Sequence, residues 1–155
     1  MSLTEHEKQI ITNTWSLATK DIKQAGLAIF KQFFEDNPSY QQLFPFRDVQ
    51  DWDKLKDDRR MKAHAANVMY ALGMMIDHIE DTEVFIEMVD KMARSHIRRH
   101  LTVQHFENLK LTLVKVLTNV LGASIMNDEA VAAWAKAYSV ITDTFMKHLS
   151  QSETK

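Results

Sequence analysis

Three glycines and two prolines in 155 residues leave this chain few places at which to turn sharply. Chains built on strands reverse direction often, and their tight turns draw on glycine for positive φ and on proline for a preset φ. Their scarcity predicts an all-α fold whose corners are made at helix ends. The length suits a single domain over residues 1–155, and a domain of this size buries roughly 68–70% of the surface its unfolded chain exposes. A hydrophobic share of 45%, a charged share of 26% and a net charge of −2 describe a globular chain, with no basic excess to draw it to nucleic acid. The absence of cysteine excludes a disulfide framework, a thiolate zinc site, an iron–sulfur cluster and a cysteine nucleophile.

Helix punctuation recurs along the chain. Thr4 with Glu7 reads as a capping box ahead of the apolar phase Ile10, Ile11, Thr14, Trp15 and Ala18. A second phase, from Ile22 to Phe34, stops at Asn37-Pro38, and Pro38 suits the first turn of a short new helix. Phe44-Pro45-Phe46 reads as a corner, followed by polar residues 47–57 with room for one short helix. A long helix through Met61, His64, Val68, Leu72 and Ile76 is predicted to end near Asp77. Asp81 or Thr82 can cap a helix carrying Phe85, Val89, Met92 and His96. Thr102 can cap one that ends at Gly122, and Asn127 can cap the last, which carries Val131, Trp134, Tyr138, Ile141 and Phe145. The expectation is six substantial helices with one or two short ones, joined by connections too short for separate domains.

The amino-terminal residues carry no apolar secretory stretch, and Ser2 stands where N-myristoylation needs glycine. The longest apolar run, Val68 to Ile76, is about half the ~20 residues of a membrane span, so a cytoplasmic chain with no membrane partner is expected.

The motifs of phosphate-loop enzymes, serine hydrolases and zinc peptidases are absent. None of the seven histidines has a glutamate three residues before it, which weakens a di-iron carboxylate bundle. Two histidines stand out by register. His96 follows Met92 by four residues and Val89 by seven, and His64 lies between Met61 and Val68 on the stripe of the preceding helix. Two imidazoles on inward faces of neighbouring helices can converge on one bound object, and imidazole is a common iron ligand. A histidine on an apolar face is more often a hydrogen-bonded core residue, and His96 with His100 could also form half of a surface zinc site. His6, His78, His105 and His148 read as surface or partly buried side chains.

These residues, taken in order and at their spacing, resemble the globin family over nearly the whole chain. The resemblance rests on Trp15, Gly26, Asn37-Pro38, Phe44, Lys62-Ala63-His64, Val68, Ala71-Leu72-Gly73, Ala93-Arg94-Ser95-His96, Val103, Phe106, Leu109, Trp134 and Ala137-Tyr138. The segment from Leu43 to Val49 is most similar to invertebrate intracellular globins, and the Trp134 helix also resembles neuroglobin and cytoglobin.

The resemblance implies a haem b cofactor (iron protoporphyrin IX) with His96 as proximal iron ligand. The other ring nitrogen of His96 is then expected to meet a backbone carbonyl or a hydroxyl such as Ser95. His64 would be the distal residue, donating a hydrogen bond to bound gas or taking the sixth iron position itself. Phe30, Phe44 and Val68 would line the distal side, Met92 and Val103 the proximal side, and Leu72, Phe106, Leu109 and Ile141 the interior. Without the resemblance, core packing is the commoner reason for such apolar residues, and with haem present the two readings merge because the cofactor is part of the core. Arg47, Arg60, Asn67, Arg98, Arg99 and His100 fall in segments where globins hold the haem propionates, and Asn67 departs from the more usual cationic or other polar residue.

The function expected is reversible binding of dioxygen for storage, transport or intracellular supply, with carbon monoxide and nitric oxide as further ligands and at most a minor nitric oxide dioxygenase or nitrite reductase activity. The alternative is bis-histidyl iron in redox, nitric oxide or gas-sensing chemistry, served by a separate reductase. A third reading is a haem-free interaction protein. A homodimer stays open, since long amphipathic helices can associate.

Overall fold

Each helix start in the computed structural model, which describes residues 3–153, is held by the side chain of the residue just before it or by a short turn. Helix α1 (Glu5–Ala18) opens with the reciprocal Thr4–Glu7 box, both bonds at 3.1 Å. Helix α2 (Ile22–Asp36) is capped by Asp21 and closes at Asn37, after which Pro38 begins a 3₁₀ turn, Pro38–Leu43. The polar stretch then contributes only the short α3 (Trp52–Leu55). Asp58 caps α4 (Arg59–Asp77), Asp81 caps α5 (Thr82–His96), and Thr102 precedes α6 (Val103–Leu121). Gly122, at φ 86°, ends α6, and Asn127 accepts from the Ala130 amide at the start of α7 (Asp128–Glu153). Among the described residues there is no strand.

The apolar stripes pack into two clusters. The larger joins α1, the second half of α4, α5, α6 and α7 around Trp15, Met75, Val89, Leu113, Trp134 and Phe145. The smaller joins α2 to the corner and the start of α4 through Phe30, Phe33, Phe34, Phe46, Leu55, Met61 and Ala65. Leu109 on α6 packs against both. Helix α2 lies against α4 and α6, α7 lies against α5 and α6, and α4 also touches α5.

The corner before α4 is fastened by side-chain contacts as well as by its backbone turns, in which Arg47 N–H donates to the Phe44 carbonyl and Val49 N–H to the Phe46 carbonyl. Gln41, buried, donates from Nε2 to the carbonyls of Val49 (2.5 Å) and Phe46 (3.2 Å). Arg60 reaches back to the Pro45 carbonyl at 3.0 Å and to Asp48 at 3.1 Å. Past α5 the chain tightens into a 3₁₀ turn, Ile97–Arg99, and His100 adopts left-handed φ of 57°, which redirects it into α6.

Candidate functional site

Two adjoining cavities of about 200 and 340 Å³ lie between the clusters, and His64, Val68, His96, Arg99, Phe106 and Leu109 line both. Helix α4 brings His64 to one side and the last turn of α5 brings His96 to the other.

The His96 ring is fixed by its own helix. Its Nδ1 lies 2.7 Å from the Met92 carbonyl oxygen, which can only accept, so Nδ1 is the protonated nitrogen. The Ser95 hydroxyl donates to the same carbonyl at 2.7 Å and stands 3.0 Å from Nδ1. This tautomer leaves Nε2 with a free lone pair, the form of imidazole that binds a metal. Burial pushes the imidazole pKa down, the Met92 carbonyl pulls the other way, and the Arg99 charge adds to the depression.

Among the described residues His64 has no hydrogen-bond partner. Aromatic rings surround it: Phe44 at 4.9 Å between centroids, Phe30 at 5.1 Å, both edge-on, and Phe46 at 6.1 Å. Burial, followed by the charges of His96 and Arg99, pushes its pKa down to about 4. The ring is therefore neutral near pH 7, with one N–H and one lone pair available to whatever enters the cavity.

Of the expected lining residues, Phe30 and Phe44 sit on the smaller cavity and Met92, Leu72 and Ile141 on the larger, while Val68, Phe106 and Leu109 belong to both. Val103 is not on either wall: it packs partly buried against the main cluster, and Leu101 takes the place at the cavity. Phe33, Phe46, Met75, Leu113 and Tyr138 also line the cavities and were not singled out by sequence. Their apolar spacing was visible, but which side of each stripe faces the cavity depends on how the helices cross.

The basic candidates separate sharply. Arg60, Asn67 and Arg99 reach the cavities, whereas Arg47, Arg98 and His100 do not line either. Arg60 is already engaged by both oxygens of Asp58, by Asp48 and by the Pro45 carbonyl. His105, read from sequence as an ordinary histidine, lines the mouth of the smaller cavity. His148 forms a 2.5 Å contact with Asp90 that ties α7 to α5.

No group of three or more metal-ligating side chains gathers among the described residues. His96 and His100 likewise part company, one at the cavity and the other on an exposed left-handed turn. Two imidazoles facing one apolar space suit a metal that arrives with most of its ligands already supplied.

Comparison with known proteins agrees with this architecture. Residues 27–145 match the family described as Globin. The chain is 32% identical over 142 residues to a globin of Nerita albicilla, covering 92% of this chain and 90% of that one. It is 27% identical to cytoglobin-1 of Danio rerio, covering 90% and 82%. A hexa-coordinate haemoglobin of Drosophila melanogaster superposes with a TM-score of 0.84 at 31% identity, covering 94% of each chain. The sequence match over most of the chain, together with the helices that carry His64 and His96 to one cavity, places this protein in the globin family.

Proposed function

We propose that this globin holds haem b as a single domain in the cytoplasm and binds dioxygen reversibly, with His96 as the proximal iron ligand and His64 as the distal residue. The observation that carries the proposal is the His96 tautomer: Nδ1 donates to the Met92 carbonyl, which leaves Nε2 a free lone pair on a residue that lines both cavities. The surroundings fit the group, because the cavity walls are mostly aliphatic and aromatic while Arg99, without an ion-pair partner among the described residues, stands beside them. When bound, haem supplies an iron atom that takes up and releases a diatomic gas.

The chain's residues do the rest. Met92 and Ser95 hold the His96 ring in one orientation. His64, neutral and without a protein partner, offers an N–H to a gas molecule. Phe30, Phe44 and Phe46 restrict water around that imidazole, since none of them can hydrogen-bond it. The same site would accept carbon monoxide and nitric oxide.

A second reading has His64 as a sixth ligand at rest, with redox or nitric oxide chemistry and a separate reductase. It is favoured by the free lone pair of His64 and by the likeness to the hexa-coordinate Drosophila haemoglobin. Visible spectra of the protein, oxidised, then reduced under nitrogen, then exposed to oxygen, separate the two. A broad band in the reduced sample that splits on oxygen supports carriage. Sharp separate bands before oxygen is admitted support His64 ligation. A protein that takes up no haemin overturns both.

A further inference from the structure

We propose that the cleft between the end of α5 and the last turns of α7 binds a small polyanion carrying two phosphate groups. This cavity, of about 340 Å³, shares no residue with the two that His64 and His96 line, so the proposal stands apart from the haem reading. Its walls are Arg94, Ile97, Arg98, His148, Gln151 and Ser152, with no carboxylate among them. Every polar side chain in that wall can donate a hydrogen bond, and two are permanent cations.

The order of charges along α5 explains why donors collect here. Glu87, Asp90, Arg94 and Arg98 follow one another at spacings of three and four residues, which makes one stripe, acidic first and basic last. Helix α7 packs against α5 and against the 3₁₀ turn that follows it. At the acidic end the charges answer one another. Asp90 meets His148 Nε2 at 2.5 Å and Arg94 Nη2 at 3.1 Å, and Glu87 lies 3.6 Å from the same Arg94 nitrogen. At the basic end Arg98 has no ion-pair partner among the described residues. Arg94 reaches its carboxylates through Nη2, and its Nη1 and Nε make no hydrogen bond among the described residues. Gln151 and Ser152, one turn beyond His148 on α7, bring an amide and a hydroxyl to the same opening.

The spacing of the arginines sets the class of ligand. One helical turn separates Arg94 from Arg98, a rise of roughly 6 Å, which suits two neighbouring anionic groups better than one. Phosphate oxygens accept two N–H groups of a guanidinium at once, so each arginine can hold one phosphate. Ile97 is the only apolar side chain in the wall, which leaves little to attract a hydrophobic ligand. Bound there, the anion bridges the turn after α5 to the end of α7 and favours the folded state.

The probe is inorganic pyrophosphate, titrated calorimetrically into the purified protein at fixed low ionic strength, with inorganic phosphate for comparison. Wild type, R98Q, R94Q and the control K31Q, which removes an exposed cation on α2, are measured side by side. One site per chain is expected, with pyrophosphate held roughly fivefold or more tighter than phosphate. R94Q and R98Q should each weaken pyrophosphate roughly five- to tenfold, while K31Q stays within about twofold of wild type. Pyrophosphate should also raise the urea midpoint of wild type and leave that of R98Q unmoved. Absence of saturable binding, equal weakening in K31Q, or R98Q that binds like wild type overturns the site. Phosphate bound as tightly as pyrophosphate overturns the two-phosphate assignment. R94Q also loses the pairs with Asp90 and Glu87, so R98Q, which has no ion pair to lose, decides the case if R94Q folds poorly. Sedimentation with phosphatidylcholine vesicles carrying phosphatidylinositol bisphosphate distinguishes the source: binding that R98Q abolishes assigns a lipid headgroup, and none assigns a free diphosphate.

Discussion

Gly26 on α2 lies so close to Met69 on α4 that a Cβ built on it would stand 2.8 Å from the Met69 Cγ. The same Cβ would meet the Ala65 carbonyl oxygen at 3.2 Å. Met69 is 1% exposed, so its side chain has little room to retreat, and the Ala65 oxygen belongs to a helix backbone. Alanine gains about 1 kcal/mol over glycine in a helix interior, whereas overpacking costs about 1–3 kcal/mol. G26V, whose branched side chain cannot share that space, is expected to lower stability by about 2–4 kcal/mol. A urea midpoint for G26V equal to that of wild type would show that the helices part without cost.

Trp134 and Thr14 provide a second test. The indole N–H donates to the Thr14 hydroxyl at 2.9 Å in a buried contact between α7 and α1, while the Trp15 and Trp134 rings lie 6.2 Å apart. T14V leaves that N–H without an acceptor and should cost about 1–3 kcal/mol. Adding W134F to T14V removes the orphaned donor, so the double variant should lose less than the two single losses combined. Strict additivity in chemical denaturation would contradict the coupling.

His64 is the group through which ligand retention is expected to act. H64L removes the only hydrogen-bonding side chain among its aromatic neighbours Phe30, Phe44 and Phe46. One neutral hydrogen bond is worth about 1 kcal/mol, so dioxygen loss should speed up roughly five- to tenfold in stopped-flow displacement. If His64 instead occupies the sixth position at rest, H64L should also abolish the sharp bands of the reduced, gas-free protein. An unchanged dissociation rate and an unchanged spectrum would remove His64 from both roles.

Acid should weaken the start of α4. Two side-chain bonds from Arg60, at 3.1 and 2.9 Å, hold the Asp58 carboxyl at about 2. The unfolded chain binds this proton near the ordinary carboxylate pKa, above the folded value, so stability from the ion pair is full above about pH 4 and fades as pH falls through about 2. D58N retains an oxygen for the Arg60 backbone N–H but loses the charge. The stability gap between wild type and D58N should therefore be present at pH 7 and shrink at pH 3. A gap of constant size across that range would show that the pair contributes no pH-dependent stability.

Much of this organisation was legible in the residues. Thr4 with Glu7, Asp81, Gly122 and Asn127 mark helix ends where the structure has them, because capping satisfies backbone groups within a few positions. The structure has two 3₁₀ turns and the short α3 between the six long helices, a little more than the one or two short pieces expected. His64 and His96 fell on inward stripes, and both line the cavities. Val103, expected on the proximal side, is not among the residues lining the two cavities, whereas Leu101 and His105 line the smaller one. Between α5 and α6 lie a 3₁₀ turn and a left-handed residue, His100, and neither leaves a periodic signal.

Local spacing thus determined where the helices begin, which of their faces are apolar and which two histidines share that apolar character, because each follows from hydrogen bonds and side-chain directions within one or two turns. Only the tertiary structure decided that Arg60 is spent on Asp58 and Asp48 while Arg99 lines both cavities, that phenylalanines enclose His64, and that Gly26 must have no side chain. Those relations join positions far apart in the chain, and they are set by the angles and distances at which rigid helices cross, which no local pattern encodes.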